Sequence, residues 1–372
     1  MIKVGITGVN GFVGKHLHNH LTLNREKFTI IEFNRSYFND FNLLLSFIEN
    51  CDVIVHLAAL NRPLGDENIN YTNDAITKLL LKGLNAAYNK PHLIFTSSIQ
   101  EDDSTDYGLS KKKSRLIFNE WAKNNNSTFT GLVLPNLYGP FCKPYYNSFI
   151  ATFSHQLING EKPNINIDKA IPLFYISDAI NLIIKAIENR LNDPFLTIKN
   201  IKKYKVSKIL TLLSTYNNVY VKNSEIPQLK NKLEINLFNT FRSYLKLNLF
   251  TPKKYFNNVD DRGNFFELIR FKSIGQISYS TTLPGITRGN HFHTRKIERF
   301  SIIKGEALIK LRKYGEKEVI EFKFSGNSPS FIDIPIWYVH NITNIGEDEL
   351  ITFFWINEHY NKSDTDTFIE QI

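Results

Sequence analysis

The chain is poor in cysteine, with only Cys51 and Cys142 among its 372 residues. Two cysteines cannot build the disulfide framework of a small secreted domain, and here they form neither a CxxC pair nor part of a clustered metal-binding set. The chain also begins without the charged start, apolar run and cleavage site of a signal peptide. We therefore expect a protein of the reducing cytoplasm.

Long uninterrupted apolar runs are missing as well. The longest, such as Phe353–Ile356, have the size of a β-strand, whereas a membrane-spanning helix needs about 18 or more apolar residues. The sequence therefore predicts no membrane partner. Hydrophobic residues make up 42% of the chain and aromatic residues 13%. This composition is enough for packed cores and excludes a disordered chain.

The net charge of +9 arises entirely in the first 250 residues. Residues 1–250 contain 29 Lys and Arg against 20 Asp and Glu, whereas residues 251–372 contain 16 of each. A basic half can bind nucleic acid, an anionic surface or phosphorylated small ligands. A lysine-rich stretch such as 199–208 is more often solvated surface, and we expect no nucleic-acid partner.

The pattern of apolar residues predicts an α/β domain over residues 1–250 and an all-β domain over 251–372. In the first part, short β-branched runs alternate with amphipathic stretches, which is typical of a Rossmann fold with a doubly wound parallel sheet. The strands predicted there are Lys3–Thr7, Phe28–Phe33, Val53–Leu57, Leu93–Ser97 and Thr130–Leu134, with an apolar helix at Tyr175–Ile187. The second part has short strands at Gln276–Thr281, Arg299–Ile303, Ala307–Leu311, Val319–Phe324, Phe331–Ile334 and Leu350–Trp355, which indicates a sandwich or barrel.

A glycine-rich turn follows the first predicted strand. Gly8, Gly11 and Gly14 lie between that strand and an amphipathic helix. Without side chains, they let a pyrophosphate approach the backbone, while the helix N-terminus supplies N–H donors and partial positive charge. This context predicts a dinucleotide cofactor at the turn.

The end of the second strand favours NADP(H) over NAD(H). The acid that usually binds the ribose hydroxyls of NAD is expected near Phe33, which cannot accept a hydrogen bond. Arg35 follows at a position suited to a 2′-phosphate. The alternative is that Glu32 accepts from the ribose and that Arg35 is solvated surface.

A serine, a tyrosine and a lysine form the first candidate catalytic set. Ser98, or its neighbour Ser97, ends the fourth strand, and Tyr107 and Lys111 stand four residues apart, on one face of the next helix. The serine hydroxyl could hold the substrate oxygen, while the phenol gives or takes a proton as hydride moves to or from the nicotinamide. We expect the lysine ammonium to lower the pKa of the phenol.

These motifs resemble the extended short-chain dehydrogenase/reductase family, in the branch that acts on nucleotide sugars. The stretches TGxxGxxG, HLAA, the serine strand, YxxxK, PNLYGP and YISD occur in the family's order over residues 1–190. The resemblance implies that Ser98, Tyr107 and Lys111 are the catalytic set. It also implies that Asn136 contacts the sugar nucleotide.

The second part contains a histidine pattern that resembles the cupin motifs. His291, His293 and Glu298 match the first motif, and His340 lies in a stretch similar to the second, with Trp337 where glycine is usual. Alternation along a strand points His291 and His293 the same way. Three imidazoles and a carboxylate inside a cupin barrel predict a metal site with room for substrate. The alternative is a metal-free pocket in which the histidines do acid/base work.

Arg262 belongs to a further signature. The stretch Asp260–Glu267 resembles the DxRGxFxE sequence of cupin-fold epimerases that act on nucleotide-linked 4-keto-6-deoxy sugars. A keto group at carbon 4 acidifies the proton at carbon 3, and a metal or cationic donor on that oxygen would stabilise the enolate. Arg262 is therefore a candidate substrate-binding residue, the alternative being an ordinary ion pair in a turn.

A reductase followed by a cupin, in this order and size, resembles the bifunctional enzymes of bacterial capsular polysaccharide synthesis. This implies a homodimer whose cupin, with zinc as its metal, epimerises carbon 3 of a UDP-linked 2-acetamido-2,6-dideoxy-4-hexulose. The reductase would then reduce the 4-keto group with NADPH, giving UDP-2-acetamido-2,6-dideoxy-L-talose. Two alternatives are a 4-ketoreductase whose cupin catalyses another isomerisation or an oxygenation, and a non-catalytic redox sensor. The sensor is disfavoured because it needs no serine, tyrosine and lysine together.

Overall fold

The computed structural model describes residues 1–62, 68–245 and 254–372. The chain forms two compact units, which are Met1–Ser214 with Asn231–Leu245, and Thr215–Lys230 with the described part of Lys246–Ile372. The domain boundary predicted near residue 250 lies outside the described residues. Among these residues, no helix has both the length and the apolar character needed to cross a bilayer.

Residues Thr215–Lys230 group with the second unit, although the predicted boundary placed them in the first domain. One contact that joins them to this unit is a short parallel bridge between Ile226 and Phe271. The Ile226 N–H donates to the carbonyl oxygen of Arg270 at 2.8 Å, and the Lys272 N–H donates to the carbonyl oxygen of Ile226 at 2.9 Å. Such pairing between distant segments leaves no local pattern in the sequence.

The first unit is built around a six-stranded parallel sheet. Its elements in chain order are β1 (Ile2–Thr7), α1 (Phe12–Thr22), β2 (Phe28–Ile31), α2 (Phe41–Glu49), β3 (Val53–His56), α3 (Ile69–Ala86), β4 (His92–Ser98), α4 (Asp106–Asn124), β5 (Phe129–Leu134), β6 (Asn136–Tyr138), α5 (Phe149–Ile158), β7 (Ala170–Tyr175), α6 (Ile176–Glu188), β8 (Asp193–Thr197), β9 (Lys203–Lys205), α7 (Val206–Tyr216, which ends in the second unit) and α8 (Lys232–Arg242). The strand order is β2-β1-β3-β4-β5-β8, and β6, β7 and β9 form a small separate sheet.

Burial on both faces explains why the central strands appear in the sequence as continuous apolar runs. All residues of β3 and β5 are buried. One face packs against α1 and α6, with Leu17, Leu21, Ile180 and Ile183 in the core. The other packs against α2, α3 and α4, with Leu44, Leu80, Leu84 and Phe118. The predicted doubly wound fold is confirmed.

The second unit consists mainly of two antiparallel sheets. Its strands are β10 (Asn258–Asp260), β11 (Gly263–Phe271), β12 (Gly275–Thr282), β13 (Thr287–Phe292), β14 (Glu298–Lys304), β15 (Glu306–Lys313), β16 (Val319–Ser325), β17 (Ser330–Ile334), β18 (Tyr338–Asn344), β19 (Leu350–Ile356) and β20 (Phe368–Ile369). One sheet has the order β10-β11-β12-β19-β14-β17, and the other has the order β16-β15-β18-β13-β20. The predicted all-β class is confirmed.

Alternating burial marks some of the six strands that the sequence predicted in this unit, whereas β16 has no buried residue. Along β15, for example, Ala307, Ile309 and Leu311 are buried while their neighbours are more exposed, as expected for a strand with one face on the core. The prediction omitted β13 and β18, which contain most of the histidines of interest. Both strands are rich in polar residues, and β13 carries Gly289 and a β-bulge, so they resemble loops in composition.

Candidate functional site

Three glycines shape the turn between β1 and α1. Gly8 has a left-handed φ of +76°, and a Cβ there would lie 2.8 Å from the backbone nitrogen of Ala58. A Cβ on Gly14 would clash with the carbonyl oxygen of Gly8. Gly11 is the N-cap of α1 and offers no capping side chain. The first N–H groups of α1 are therefore available to an anion such as a pyrophosphate.

One cleft of about 1290 Å³ joins this turn to the predicted catalytic set. Ser98 ends β4, Tyr107 and Lys111 lie in the first turns of α4, and Asn136 begins β6 directly after β5. All four line the cleft. Ligands of open α/β sheets bind outside the carboxyl ends of the strands, which is where the topology places these side chains.

The two neighbouring serines have different surroundings. Ser97 is buried, and its hydroxyl donates to the Glu101 carboxylate, which also pairs with Arg115. Both serines line the cleft, but the Ser98 oxygen accepts the N–H of Gln100 at 3.2 Å, so its own proton can go to a ligand. Of the two serines left open by the sequence, Ser98 is the better placed to hold a substrate oxygen.

The Glu101–Arg115 pair is buried and anchors the end of β4 to α4. Nη2 of Arg115 lies 2.7 Å from Oε2 of Glu101. We expect Arg115→Met to lower the free energy of unfolding by about 3–5 kcal/mol, because it leaves the buried Glu101 carboxylate without its counterion. Urea unfolding measures this loss. The control is Lys27→Met, which breaks an exposed pair with Glu188 and should cost about 0–1 kcal/mol. Equal small losses in both variants would contradict the prediction.

Lys111 is buried in the wall of the cleft. Its Nζ donates to the Thr96 carbonyl at 2.7 Å and lies 4.5 Å from the centroid of the Phe95 ring. The same atom is 5.9 Å from the centroid of the Tyr107 ring. Burial lowers the pKa of Lys111 to about 7.

The sequence led us to expect a lowered pKa for the Tyr107 phenol, and this expectation is wrong. Burial raises the pKa of Tyr107 to about 12 and outweighs a lowering contribution from the side chain of Asn61. Desolvation by the surrounding protein is the largest cause of the shift, although Tyr107 is half-buried and lines the cleft. A phenol with a raised pKa keeps its proton at neutral pH, which is what a proton donor requires.

Glu32 and Arg35, the residues of the two cofactor alternatives, both lie just after β2. Phe33 stands between them and packs against other aromatic rings. Arg35 is exposed and begins a short 3-10 helix. A smaller cleft of about 390 Å³ beside the strand is lined by Glu32, Lys15 and His18, among others. The sequence did not predict Lys15 or His18 as cleft residues, because they lie on α1 after the glycine motif.

Two cationic side chains that the sequence did not predict also line the large cleft. Arg62 and Lys143 both line it, and Nζ of Lys143 lies 5.6 Å from the centroid of the Tyr146 ring. Cationic side chains are the usual partners of phosphate groups. Neither residue belongs to a motif, and only the fold brings them to the same cleft as Tyr107.

In the second unit, four predicted metal ligands come together. The ligand atoms of His291, His293, Glu298 and His340 all lie within 4.8 Å of one another. Oε2 of Glu298 is 3.3 Å from Nε2 of His293 and 3.1 Å from Nε2 of His340. Tetrahedral zinc with the usual bond lengths places its ligand atoms about 3.3 Å apart. The spacing therefore fits a divalent metal ion.

The hydrogen bonding of these groups also fits a metal. Nε2 of His293, Nε2 of His340 and Oε2 of Glu298 are buried without a hydrogen-bond partner among the described residues, which is costly unless a ligand pairs with them. Their opposite ring nitrogens are occupied, since Nδ1 of His293 contacts the Asp366 carbonyl and Nδ1 of His340 contacts the Tyr338 carbonyl. Such bonds fix the tautomer that turns Nε2 toward a metal.

Strand pairing explains how the histidines meet. His291 on β13 pairs with His340 on β18, and their ring centroids are 4.5 Å apart. His293 lies just past the end of β13, with its ring 5.0 Å from that of His291, as the alternation predicted. Burial lowers the pKa of His291 to about 4, so its imidazole is neutral and able to bind a metal. Trp337 has a φ of +63°, which accounts for the glycine usual at its position.

A cleft of about 1140 Å³ opens onto this cluster and is also lined by Arg262 and Arg288. Nε of Arg262 lies 3.0 Å from Oδ2 of Asp260, and Nη2 of Arg288 lies 3.6 Å from Oδ1 of the same carboxylate. Arg262 thus makes the ion pair in a turn that was one of the two interpretations of this residue. It also lines the cleft, as the other interpretation, substrate binding, requires. Arg288 was not predicted, although it precedes His291 by only three residues on β13.

Comparisons with known proteins agree with this two-part architecture. Residues 4–201 match the NAD dependent epimerase/dehydratase family, and residues 258–368 match the polysaccharide biosynthesis C-terminal domain. The chain is 30% identical to the UDP-2-acetamido-2,6-beta-L-arabino-hexul-4-ose reductase of Pseudomonas aeruginosa, over 99% of this chain and 98% of that protein.

Solved structures extend the similarity to the whole fold. The capsular polysaccharide assembling protein CapF from Staphylococcus aureus is 33% identical, with a TM-score of 0.86 and complete coverage of both chains. RMD from Pseudomonas aeruginosa, solved with NADPH, is 16% identical with a TM-score of 0.56 over 65% of this chain and 98% of that one, and this similarity shows the fold alone. The chain belongs to the NAD dependent epimerase/dehydratase family, in the two-domain form that it shares with CapF.

Proposed function

We propose that this chain is a bifunctional nucleotide-sugar enzyme of capsular polysaccharide synthesis. In this proposal, the second unit epimerises carbon 3 of a UDP-linked 2-acetamido-2,6-dideoxy-4-hexulose. The first unit reduces the 4-keto group with NADPH to give UDP-2-acetamido-2,6-dideoxy-L-talose. The observation that carries it is that Ser98, Tyr107 and Lys111 share a cleft with the glycine turn. The similarity to a UDP-hexulose reductase supports the substrate class.

The reduction uses groups that all line the first cleft. The Ser98 hydroxyl would donate to the carbonyl oxygen at carbon 4, and NADPH held at the glycine turn would supply hydride to that carbon. The Tyr107 phenol gives its proton to the oxygen, so the products are an alcohol and NADP⁺, and the phenolate regains a proton from solvent. Asn136, Arg62 and Lys143 bind the sugar and the UDP phosphates.

The epimerisation uses the cleft of the second unit. The carbonyl at carbon 4 acidifies the proton at carbon 3, and its removal and return on the opposite face invert that centre. Arg262 and Arg288 supply positive charge beside the cluster of His291, His293, Glu298 and His340. These four side chains would hold the metal, for which zinc suits the donor set. When bound, a metal there supplies Lewis-acid stabilisation of the enolate oxygen.

A turnover assay tests the proposed function. NADPH oxidation is expected when the protein is mixed with UDP-2-acetamido-2,6-dideoxy-4-hexulose, and NMR should identify the reduced sugar. Tight NADPH binding with no oxidation by any UDP-4-keto sugar would contradict the proposal and favour the redox sensor.

Cofactor choice is a separate prediction. We expect NADPH to be preferred and Arg35→Ala to lower the NADPH:NADH ratio of kcat/KM by about 10-fold or more, because a charge-assisted hydrogen bond to the 2′-phosphate is worth about 1.5–3 kcal/mol. Saturation curves with both cofactors measure the ratio. Arg25→Ala, which removes another exposed arginine of this unit, should leave it unchanged. A wild-type preference for NADH, lost in Glu32→Ala, would establish the alternative instead.

A further inference from the structure

We propose that Asp366 is a positioning residue of the metal site, whose carboxylate holds the loop between His293 and Glu298 and so sets the affinity for the metal. The inference rests on the metal site of the proposed function. It concerns a residue 73 positions away from His293 in the chain, outside both histidine motifs.

The Asp366 carboxylate accepts hydrogen bonds from three consecutive residues of this loop. The N–H groups of Thr294, Arg295 and Lys296 lie 3.2, 3.0 and 3.0 Å from its oxygens, and the Thr294 hydroxyl lies at 2.6 Å. Asp366 is only 6% exposed. One carboxylate therefore fixes the start of the loop.

The backbone of Asp366 contacts a metal ligand directly. Its carbonyl oxygen accepts the Nδ1 proton of His293, which leaves Nε2 of that ring for the metal. The residue has a left-handed φ of +45°, a conformation that aspartate and asparagine tolerate better than most residues. This conformation lets the carboxylate and the carbonyl of one residue reach adjacent parts of the same loop.

The residues around Asp366 also contact the first histidine motif, both at its strand and at the loop that follows. The Lys296 Nζ donates to the carbonyl oxygen of Thr365 at 2.6 Å. Strand β20 pairs with β13, where Ile369 lies opposite His291. The segment 364–369 thus contacts the strand of His291 and the loop from His293 to Glu298, with Asp366 at its centre.

Metal affinity measures this role without any catalytic assay. Loss of an outer partner of a metal ligand typically weakens metal binding 10- to 100-fold, and we expect a loss in this range for Zn²⁺ in Asp366→Ala. Asp366→Asn keeps the volume, the tolerated backbone conformation and one acceptor oxygen, so its loss should be smaller. The affinity is obtained by chelator competition on the metal-stripped full-length protein.

Asp364→Ala is the matched control, because it removes the same charge two residues away. Asp364 is exposed and pairs with the side chain of Arg295, so its loss should leave the Zn²⁺ affinity within about 3-fold of the wild type. Near-UV circular dichroism shows which variants are folded, and Asp366→Asn remains a test if Asp366→Ala does not fold.

Three outcomes would overturn the inference. If folded Asp366 variants bind Zn²⁺ as tightly as the wild type, Asp366 does not position the site, although the metal site itself stands. If Asp364→Ala weakens binding as much as Asp366→Ala, the effect belongs to the segment in general. If the wild-type protein binds no Zn²⁺, the proposed metal site fails, and this inference fails with it.

Discussion

Replacing Tyr107 with phenylalanine is expected to abolish reduction of the 4-keto sugar while NADPH remains bound. The change removes one hydroxyl from the cleft that contains Ser98 and Lys111, and with it the proposed proton donor to the developing alkoxide. General acid catalysis typically contributes about 10²- to 10⁴-fold, so the rate should fall by at least about 10²-fold. NADPH oxidation gives the rate, and quenching or enhancement of cofactor fluorescence gives the dissociation constant.

The matched control is Tyr88→Phe, which removes the hydroxyl of an exposed tyrosine in the same unit. Its rate should equal that of the wild type. Reduction near the wild-type rate in Tyr107→Phe, with NADPH binding unchanged in both variants, would show that another group supplies the proton.

The second large effect is expected at the histidine cluster. His291→Ala or Glu298→Ala should reduce the metal content and slow exchange of the carbon 3 proton with D₂O by at least about 10²-fold. The reason is that a bound metal supplies several kcal/mol of charge stabilisation, and each 1.4 kcal/mol is tenfold in rate. Elemental analysis measures the metal, and NMR of the UDP-4-keto sugar in D₂O measures the exchange.

His359→Ala provides the control, because His359 lies in the same unit and contacts the Phe271 carbonyl. It is not a member of the cluster found among the described residues, and its metal content and exchange rate should be near those of the wild type. All three variants should still bind NADPH, since the glycine turn belongs to the first unit. Carbon 3 exchange that survives in His291→Ala and Glu298→Ala would assign the epimerisation to another site.

The parts of the fold that could be predicted are those with a local physical cause. The runs in β3 and β5 are apolar because both faces of the sheet are covered, and Gly8 and Gly14 are required by close approaches within one turn. Motif spacing likewise identified all four members of the histidine cluster. These features depend on neighbours in sequence or on short fixed spacings.

The parts that could not be predicted depend on contacts between distant segments. Burial reverses the expected shift in the pKa of Tyr107, and burial is a property of the folded chain. Arg288 reaches the cleft beside the histidine cluster, and Asp366 reaches the loop after His293, through strand pairing and loop packing. No sequence pattern marks either residue.

Turnover of UDP-2-acetamido-2,6-dideoxy-4-hexulose by the wild-type protein in D₂O tests the two-site account most directly. With NADPH as the reductant, NMR of the product reports the isotope and configuration at carbon 3 and the isotope at carbon 4. The account predicts deuterium and an inverted centre at carbon 3, together with protium from NADPH at carbon 4. A reduced product that keeps protium and the original configuration at carbon 3 would contradict it.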